Sequence, residues 1–217
     1  QKDKFLSIDI LNLLPLENKE NYSPDYYIYG KINEAVKNLF LEGEFILTEG
    51  EGYAHPKDCI FGSNDLIELL SEEDLKKLFD KKAWIDKRIK DNEETRLIYK
   101  FYKEELNISE IKFDNFIEKI NDNFLKEKTD EWLIKFYRLL LNKSLDVLKN
   151  QKIIKLSNNS FMSAYLEDKL SVYFPPENDE DPGYPTVKKV FLRDEEAKEF
   201  FKKLGIKKYD ELSEIEE

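Results

Sequence analysis

The stretch EFILTEGEGYAHPKDCIF, residues 44–61, decides how the rest of the chain is read. Phe45-Ile46-Leu47 is a short apolar run, Glu49-Gly50-Glu51-Gly52 supplies turn residues, and Tyr53 to Phe61 resumes extended character up to Gly62. The pattern predicts a strand, a turn and a second extended segment. The same stretch holds the only histidine (His55) and the only cysteine (Cys59), so it also raises a phosphate loop, a metal site or a thiol site. A phosphate loop needs amides aimed at the anion and usually a lysine, whereas here Glu49 and Glu51 flank the glycines and would repel it. A Cys–His nucleophile would need an orienting third group and an oxyanion site, and a metal would need further ligands. Turn geometry is the better account, with His55 and Cys59 structural or incidental.

Outward from this segment the helices are legible. Ile32, Ala35, Val36, Leu39 and Phe40 recur at helical spacing from about Lys31 to Leu41, just before Gly43. In LSEEDLKKLF (70–79), Ser71 caps a helix whose first turn is acidic, where the dipole favours it. Leu97, Ile98, Phe101, Tyr102 and Leu106 predict another helix, and Phe116, Ile117, Ile120 and Phe124 a helix from about Asp114 to Phe124. Thr129 or Asp130 opens the longest apolar stripe, Leu133 through Leu148. After it, Ile153-Ile154, the turn Ser157-Asn158-Asn159, Phe161 to Tyr165 and Val172-Tyr173-Phe174 predict strands.

The order of elements in the second half echoes the first. Phe45-Ile46-Leu47-Thr48 aligns with Ile153-Ile154-Lys155-Leu156, which would put Ser163 and Glu167 opposite His55 and Cys59. LSEEDLKKLF aligns with LRDEEAKEFF (192–201), and FYKEELNI (101–108) echoes FFKKLGI (200–206). On this alignment PPENDEDPGYPTV (175–187) is an insertion in the second copy.

Composition bounds the function. The 217 residues are 41% hydrophobic, with 15 Phe and 12 Tyr, enough for one large or two small ring-filled cores. A formal net charge of −11 disfavours nucleic acid and anionic lipid as partners. One cysteine excludes an internal disulfide and fits a reducing, cytoplasmic setting, and no apolar run approaches a membrane span. A start at Gln1 is what a piece of a longer chain would show. The local exception to the acidity is KKAWIDKRIK (81–90), where Lys81, Lys82, Trp84, Lys87 and Arg88 form a candidate basic surface. Glu177 to Asp181 lacks the alternating ligands of a calcium loop and reads as an acidic insertion. Glu196 and Lys198 match the E-x-K of nuclease sites, but on a helix.

DEWLIKFYRLLL, KIIKLSNNSFMSAY, VYFPP, GYPTVKK and FFKKLGIKKYDELSEI, with the segment quoted at the outset and WIDKRIKDN, resemble a known family region from about Tyr26 onward. This is the region downstream of the ATPase domain in large bacterial proteins with an Hsp90-like (sacsin-like) ATP-binding domain. GYPTVKK and KLGI are its most specific parts. The resemblance implies a piece of a larger ATP-dependent, chaperone-like or defence-associated protein. It does not put the ATPase in these residues, since the Asp-x-Gly-x-Gly turn of that superfamily does not occur in them.

The expectation is an α+β chain of two related modules, each a small antiparallel sheet flanked by helices. They span residues 1–90 and 91–217, the second with an acidic insertion near 177–186. No catalytic, cofactor-binding or metal-ligating residue is assigned, and no cofactor is expected. The expected role is a non-catalytic middle or scaffold region that transmits ATPase movement or presents a protein-interaction surface. Its partners would be other domains of the parent chain or partner proteins. The alternatives are a hydrolase or nuclease accessory domain, marked by two acids and a lysine converging in a pocket, and nucleic-acid contact through Lys81 to Lys90.

Overall fold

The computed structural model describes residues 26–50, 52–177 and 182–209. Helices and small sheets share it in an α+β fold, and its chain divides into two compact units between Lys119 and Ile120. The division falls later than residue 90 because Ile98, Phe101, Tyr102, Leu106 and Ile108 belong to the core of the first unit. Asn178 to Asp181 of the acidic insertion lie outside the described residues.

In the first unit, helix α1 (Tyr26–Glu42) leads into the predicted hairpin, β1 (Ile46–Thr48) antiparallel to β2 (Gly52–Ala54). Gly50 takes φ 78° in the turn, a conformation open to glycine at no steric cost. A single 3₁₀ turn, Pro56–Asp58, then bends the chain into β3 (Cys59–Gly62). Helices α2 (Asn64–Leu69) and α3 (Glu72–Phe79) follow. Ser71 closes a full capping box: its hydroxyl accepts from the Asp74 amide at 3.2 Å and the Asp74 carboxylate accepts from the Ser71 amide at 3.2 Å. Asp80, in the left-handed region at φ 54°, ends α3.

Strand β4 (Ala83–Trp84) runs parallel to β3, as does β5 (Glu110–Ile111) on its other side. Thr48 bridges antiparallel to Ile85, so the hairpin joins the parallel strands edge to edge. Between β4 and β5 lies helix α4 (Arg96–Lys100), continued by a wider π turn over Phe101–Glu105. The unit closes with α5 (Phe113–Lys119). Its core is ring-filled: Phe40 meets Phe101 edge-on with ring centroids 5.3 Å apart and lies 6.2 Å from the Tyr102 ring.

The helix expected over 114–124 proves to be two, because α5 stops at Lys119 and in the second unit Asn121 caps a new helix, α6 (Asp122–Lys126). Thr129 caps α7 (Asp130–Leu140), its hydroxyl accepting from the Trp132 amide. The long stripe does not run unbroken to Leu148. The chain leaves the helix at Leu141 and resumes as the single turn α8 (Leu145–Leu148), with the weak helix formers Asn142 and Ser144 between.

Strands β6 (Ile154–Lys155) and β7 (Phe161–Met162) form the second predicted hairpin, whose turn places Asn159 at φ 64°. A further hairpin, β8 (Tyr165–Leu166) with β9 (Lys169–Leu170), interrupts the expected pattern. Beyond it Tyr173 bridges parallel to Thr186, Leu156 antiparallel to Val187, and Phe174 parallel to Lys208. A 3₁₀ turn (Lys189–Arg193) and α9 (Glu195–Lys203) lie between Lys188 and the last bridge. Tyr137 is the centre of this core, 4.8 Å from the Phe201 ring, 5.1 Å from Phe191 and 5.8 Å from Phe200.

The two units share one hydrogen-bonded frame. In the first, Glu49 N donates to Trp84 O, Asp86 N to Leu47 O, Ile85 N to Ile60 O and Phe61 N to Ser109 O. In the second, Ser157 N donates to Thr186 O, Lys188 N to Lys155 O, Val187 N to Tyr173 O and Phe174 N to Lys207 O. Trp84 and Thr186 therefore hold equivalent positions, as do Gly62 and Pro175.

This frame corrects the expected alignment of LSEEDLKKLF with LRDEEAKEFF. Helix α3 lies between β3 and β4, whereas α9 follows the bridge at Val187. The counterpart of α9 is α4 with its π turn: Ile108 N donates to Tyr102 O just as Ile206 N donates to Phe201 O. Likewise Val172, not Glu167, stands opposite Cys59, because β8 and β9 take up the intervening residues; both positions are fully buried.

Candidate functional site

The residues that looked most chemical are built into the frame. His55 caps the 3₁₀ turn, its Nδ1 accepting from the Lys57 amide at 3.3 Å. Cys59 is fully buried in β3, and burial, helped by the neighbouring Asp58 carboxylate, pushes its thiol up to about 12. A thiol held there stays protonated at neutral pH and is a core residue, not a nucleophile.

The candidate basic surface does not survive as drawn. Trp84 is only 4% exposed: its ring packs against Gly62 and its indole N–H donates to Leu70 O at 3.0 Å. It cannot stack on a base. The cations around it sit beside acids or carbonyls. Lys82 bonds Asp58 at 2.9 Å, Lys81 donates to Lys57 O, and the Lys87 ammonium lies 3.8 Å from the Glu49 carboxylate. Arg88 forks onto Asp86 with bonds of 2.8 and 2.6 Å. Burial alone would raise the Asp86 carboxyl, but the bonds from Arg88 outweigh it and hold the carboxyl below its usual range. The alternation DKRIKD thus spends its charge locally, and the tryptophan belongs to the core because its partner strand offers a glycine.

The acids singled out in the second half are likewise engaged at the surface. Glu196 lies 3.5 Å from Arg138 and Lys198 is 3.7 Å from Glu195 on α9. Glu177 pairs with Lys208 at 2.9 Å. Among the described residues no group of three or more His, Cys, Asp or Glu could hold a metal ion. No helix among them is long and apolar enough to cross a membrane.

The concave feature that the sequence did not announce lies in the second unit. Leu156, Ser157 and Asn158 form one wall, Pro175, Pro176, Pro182 and Pro185 another, and Tyr184, Thr186, Lys188 and Lys189 complete a cleft of about 540 Å³. The bridge between Tyr173 and Thr186 and the one between Leu156 and Val187 bring these segments together. Tyr184 is held by its neighbours, stacked 4.3 Å from the Tyr209 ring and 5.6 Å from Tyr173. At the floor the Ser157 and Thr186 hydroxyls are hydrogen-bonded at 2.9 Å.

A half-buried charge network underlies this wall. Asp130, at the start of α7, accepts from Lys155 at 2.8 Å and from Lys188 at 2.6 Å, and Lys188 also donates to Asn159 at 3.0 Å. Burial would raise the Asp130 carboxyl, but the bonds from the two lysines overcome it and leave the carboxyl below its ordinary value. The lining carries two lysines and no carboxylate among its described residues. Prolines, a tyrosine and lysines together can bind and orient an apolar group with a polar end. The GYPTVKK element (183–189) supplies Tyr184, Pro185, Thr186, Lys188 and Lys189 of the lining, VYFPP supplies Pro175 and Pro176, and KIIKLSNNSFMSAY supplies Leu156, Ser157 and Asn158, but nothing in these motifs shows that they meet.

No family model matches this chain, no curated protein is significantly similar to it, and no solved structure matches it.

Proposed function

We propose that the chain is a non-catalytic scaffold or middle region of a larger Hsp90-like ATPase protein, presenting a protein-interaction surface. The observation that carries the reading is the cleft of the second unit. Its four prolines and one tyrosine make a rigid, apolar wall that loses little entropy when a polypeptide docks, and its lysines supply polar anchors. GYPTVKK, one of the two motifs that most specifically resemble the family, supplies the tyrosine and one of the four prolines. The single cysteine supports a cytoplasmic setting, and the resemblance supports partners within the parent chain.

The test uses the purified chain. With ATP or a nucleic acid and Mg²⁺, no turnover above a buffer control is expected, and peptides selected from a random library should perturb cleft residues. Metal-dependent hydrolysis that tracks with the chain through purification would overturn the reading in favour of the hydrolase alternative.

A further inference from the structure

We propose that the shelf formed by Ala35 and Leu39 on α1 is a docking surface for the chain's own leading segment, Phe5 to Leu16, which folds back along the helix. The inference is independent of the cleft and comes from the equivalence of the two units. Phe101 corresponds to Phe200, because Leu106 N donates to Phe101 O as Leu204 N donates to Phe200 O. Phe40, whose ring meets Phe101 and Tyr102, corresponds to Tyr137, whose ring meets Phe200 and Phe201. Read along the helices from these anchors, Leu39 matches Phe136 and Ala35 matches Trp132.

The matched positions are furnished in opposite ways. In the second unit Phe136 is fully buried, with its ring stacked 5.4 Å from Trp132. Trp132 in turn meets Phe124 edge-on at 5.7 Å, and the Lys128 ammonium lies over both of these rings. Phe124 belongs to α6, the element just ahead of α7, so the chain entering the helix folds back to seal its flank. In the first unit Ala35 is exposed and too small to shield its neighbour one turn on, and Leu39 is 55% exposed. A leucine left open where the same frame elsewhere buries a phenylalanine marks a flank that lacks its cover.

The second unit also says where the cover comes from: the chain immediately upstream of the helix. Ahead of α1 that chain contains FLSIDILNLLPL (5–16), in which eight of twelve residues are hydrophobic against 41% for the whole sequence. Such a segment gains most by lying on an apolar surface. Length permits it. From Tyr26 to Leu39 the helix runs about 20 Å, while the ten residues that join Leu16 to Tyr26 can span up to about 33 Å. Because α1 opens at Tyr26, about two turns earlier than Asp130 opens α7, the returning segment has a longer helix to follow than α6 does.

Spin labelling of the whole chain tests this. Its one native thiol is buried and pushed up to about 12, which leaves an engineered cysteine as the reactive one. A nitroxide on Asn12→Cys, a polar position that spares the apolar residues, should strip most of the intensity from the Ala35, Asn38, Leu39 and Glu42 amide signals until the label is reduced. Ala35→Trp gives the first unit the ring that Trp132 supplies in the second, and should restore those signals by displacing the segment. Leu39→Asp, at a position already open to water, should restore them by making the shelf polar even if the tryptophan variant fails to fold. Amides that keep their intensity in the labelled chain, or that lose it equally in both variants, would overturn the proposal. Intensity lost only from an isotope-enriched chain mixed with a separate labelled one would overturn it too, since the shelf would then hold a second copy.

Discussion

In the first unit Phe40 packs on Phe101 and Tyr102, and in the second Tyr137 packs on Phe200 and Phe201. The same aromatic triangle occurs twice, with its hydroxyl moved from the helix after the hairpin to the helix before it. Tyr137 uses that hydroxyl, accepting from the Lys155 amide at 3.1 Å and donating to Ile153 O at 3.0 Å. Tyr102 is as deeply buried, yet its hydroxyl faces the Leu47 backbone without closing a normal hydrogen bond. Burial raises both phenols, so both stay neutral. One frame thus tolerates two placements of a buried polar group, and only one of them is satisfied.

The comparison can be broken most forcefully at the sheet. Trp84→Ala should cost about 3–5 kcal/mol, the range for emptying a buried aromatic position. Thr186→Ala, at the equivalent place, should cost under about 1.5 kcal/mol, since it deletes little volume and one hydroxyl pair. Denaturant melts of both variants decide it; equal losses would mean that the first unit does not depend on the Trp84 ring as its burial requires.

Next in size is Asp130→Asn, which strips the shared carboxylate from Lys155 and Lys188. With Lys155 only 11% exposed at its side chain, a loss of about 2 kcal/mol at neutral pH is expected, below that of a fully buried pair. The sign with pH follows from the depressed carboxyl. Its stabilisation is complete above the unfolded value near ~3.9 and drains away as pH falls through the lower folded value. The gap between wild type and variant should therefore narrow in acid; a gap that is unchanged down to pH 2 would refute the network's role.

The smallest pair of effects is the most diagnostic. Tyr137→Phe leaves a buried amide and carbonyl short of a partner and should cost about 1–3 kcal/mol. Tyr102→Phe removes a hydroxyl that has no good bond to lose and should be neutral or slightly stabilising. If thermal melts give equal losses for the two, the hydroxyl of Tyr102 is satisfied after all.

Short-range signals were the legible ones. Ser71 and Thr129 announce helix starts because a cap is decided within three residues, and the turns at Gly50 and Asn158-Asn159 because positive φ is a local demand. Strand pairing was less so: a bridge of one or two residues leaves no period to read, which is why β8 and β9 and the parallel partners of β3 were missed. The alignment of α3 with α9 failed for a related reason. Two acidic-start helices look alike whatever strand they follow, and only the hydrogen bonds at Ile108 and Ile206 sort them. Trp84 was misplaced because its alternating charged neighbours read as surface, while the deciding contact, Gly62, is remote in sequence. The cleft was invisible for the same reason, its walls being joined by bridges between distant segments.

The π turn at Phe101–Glu105 bears on how such chains vary in length. FYKEELNI has one residue more than FFKKLGI between its aromatic pair and its isoleucine, and the wide turn takes up that residue inside the helix end. Beyond it Asn107 and Gly205 both sit at positive φ, at 54° and 97°, and Ser109 and Lys207 both reach the strand they pair with. An insertion there is absorbed within one helical turn and never propagates as a phase error into the sheet, so a gap between two such chains belongs inside a helix and not, as habit would place it, in a loop.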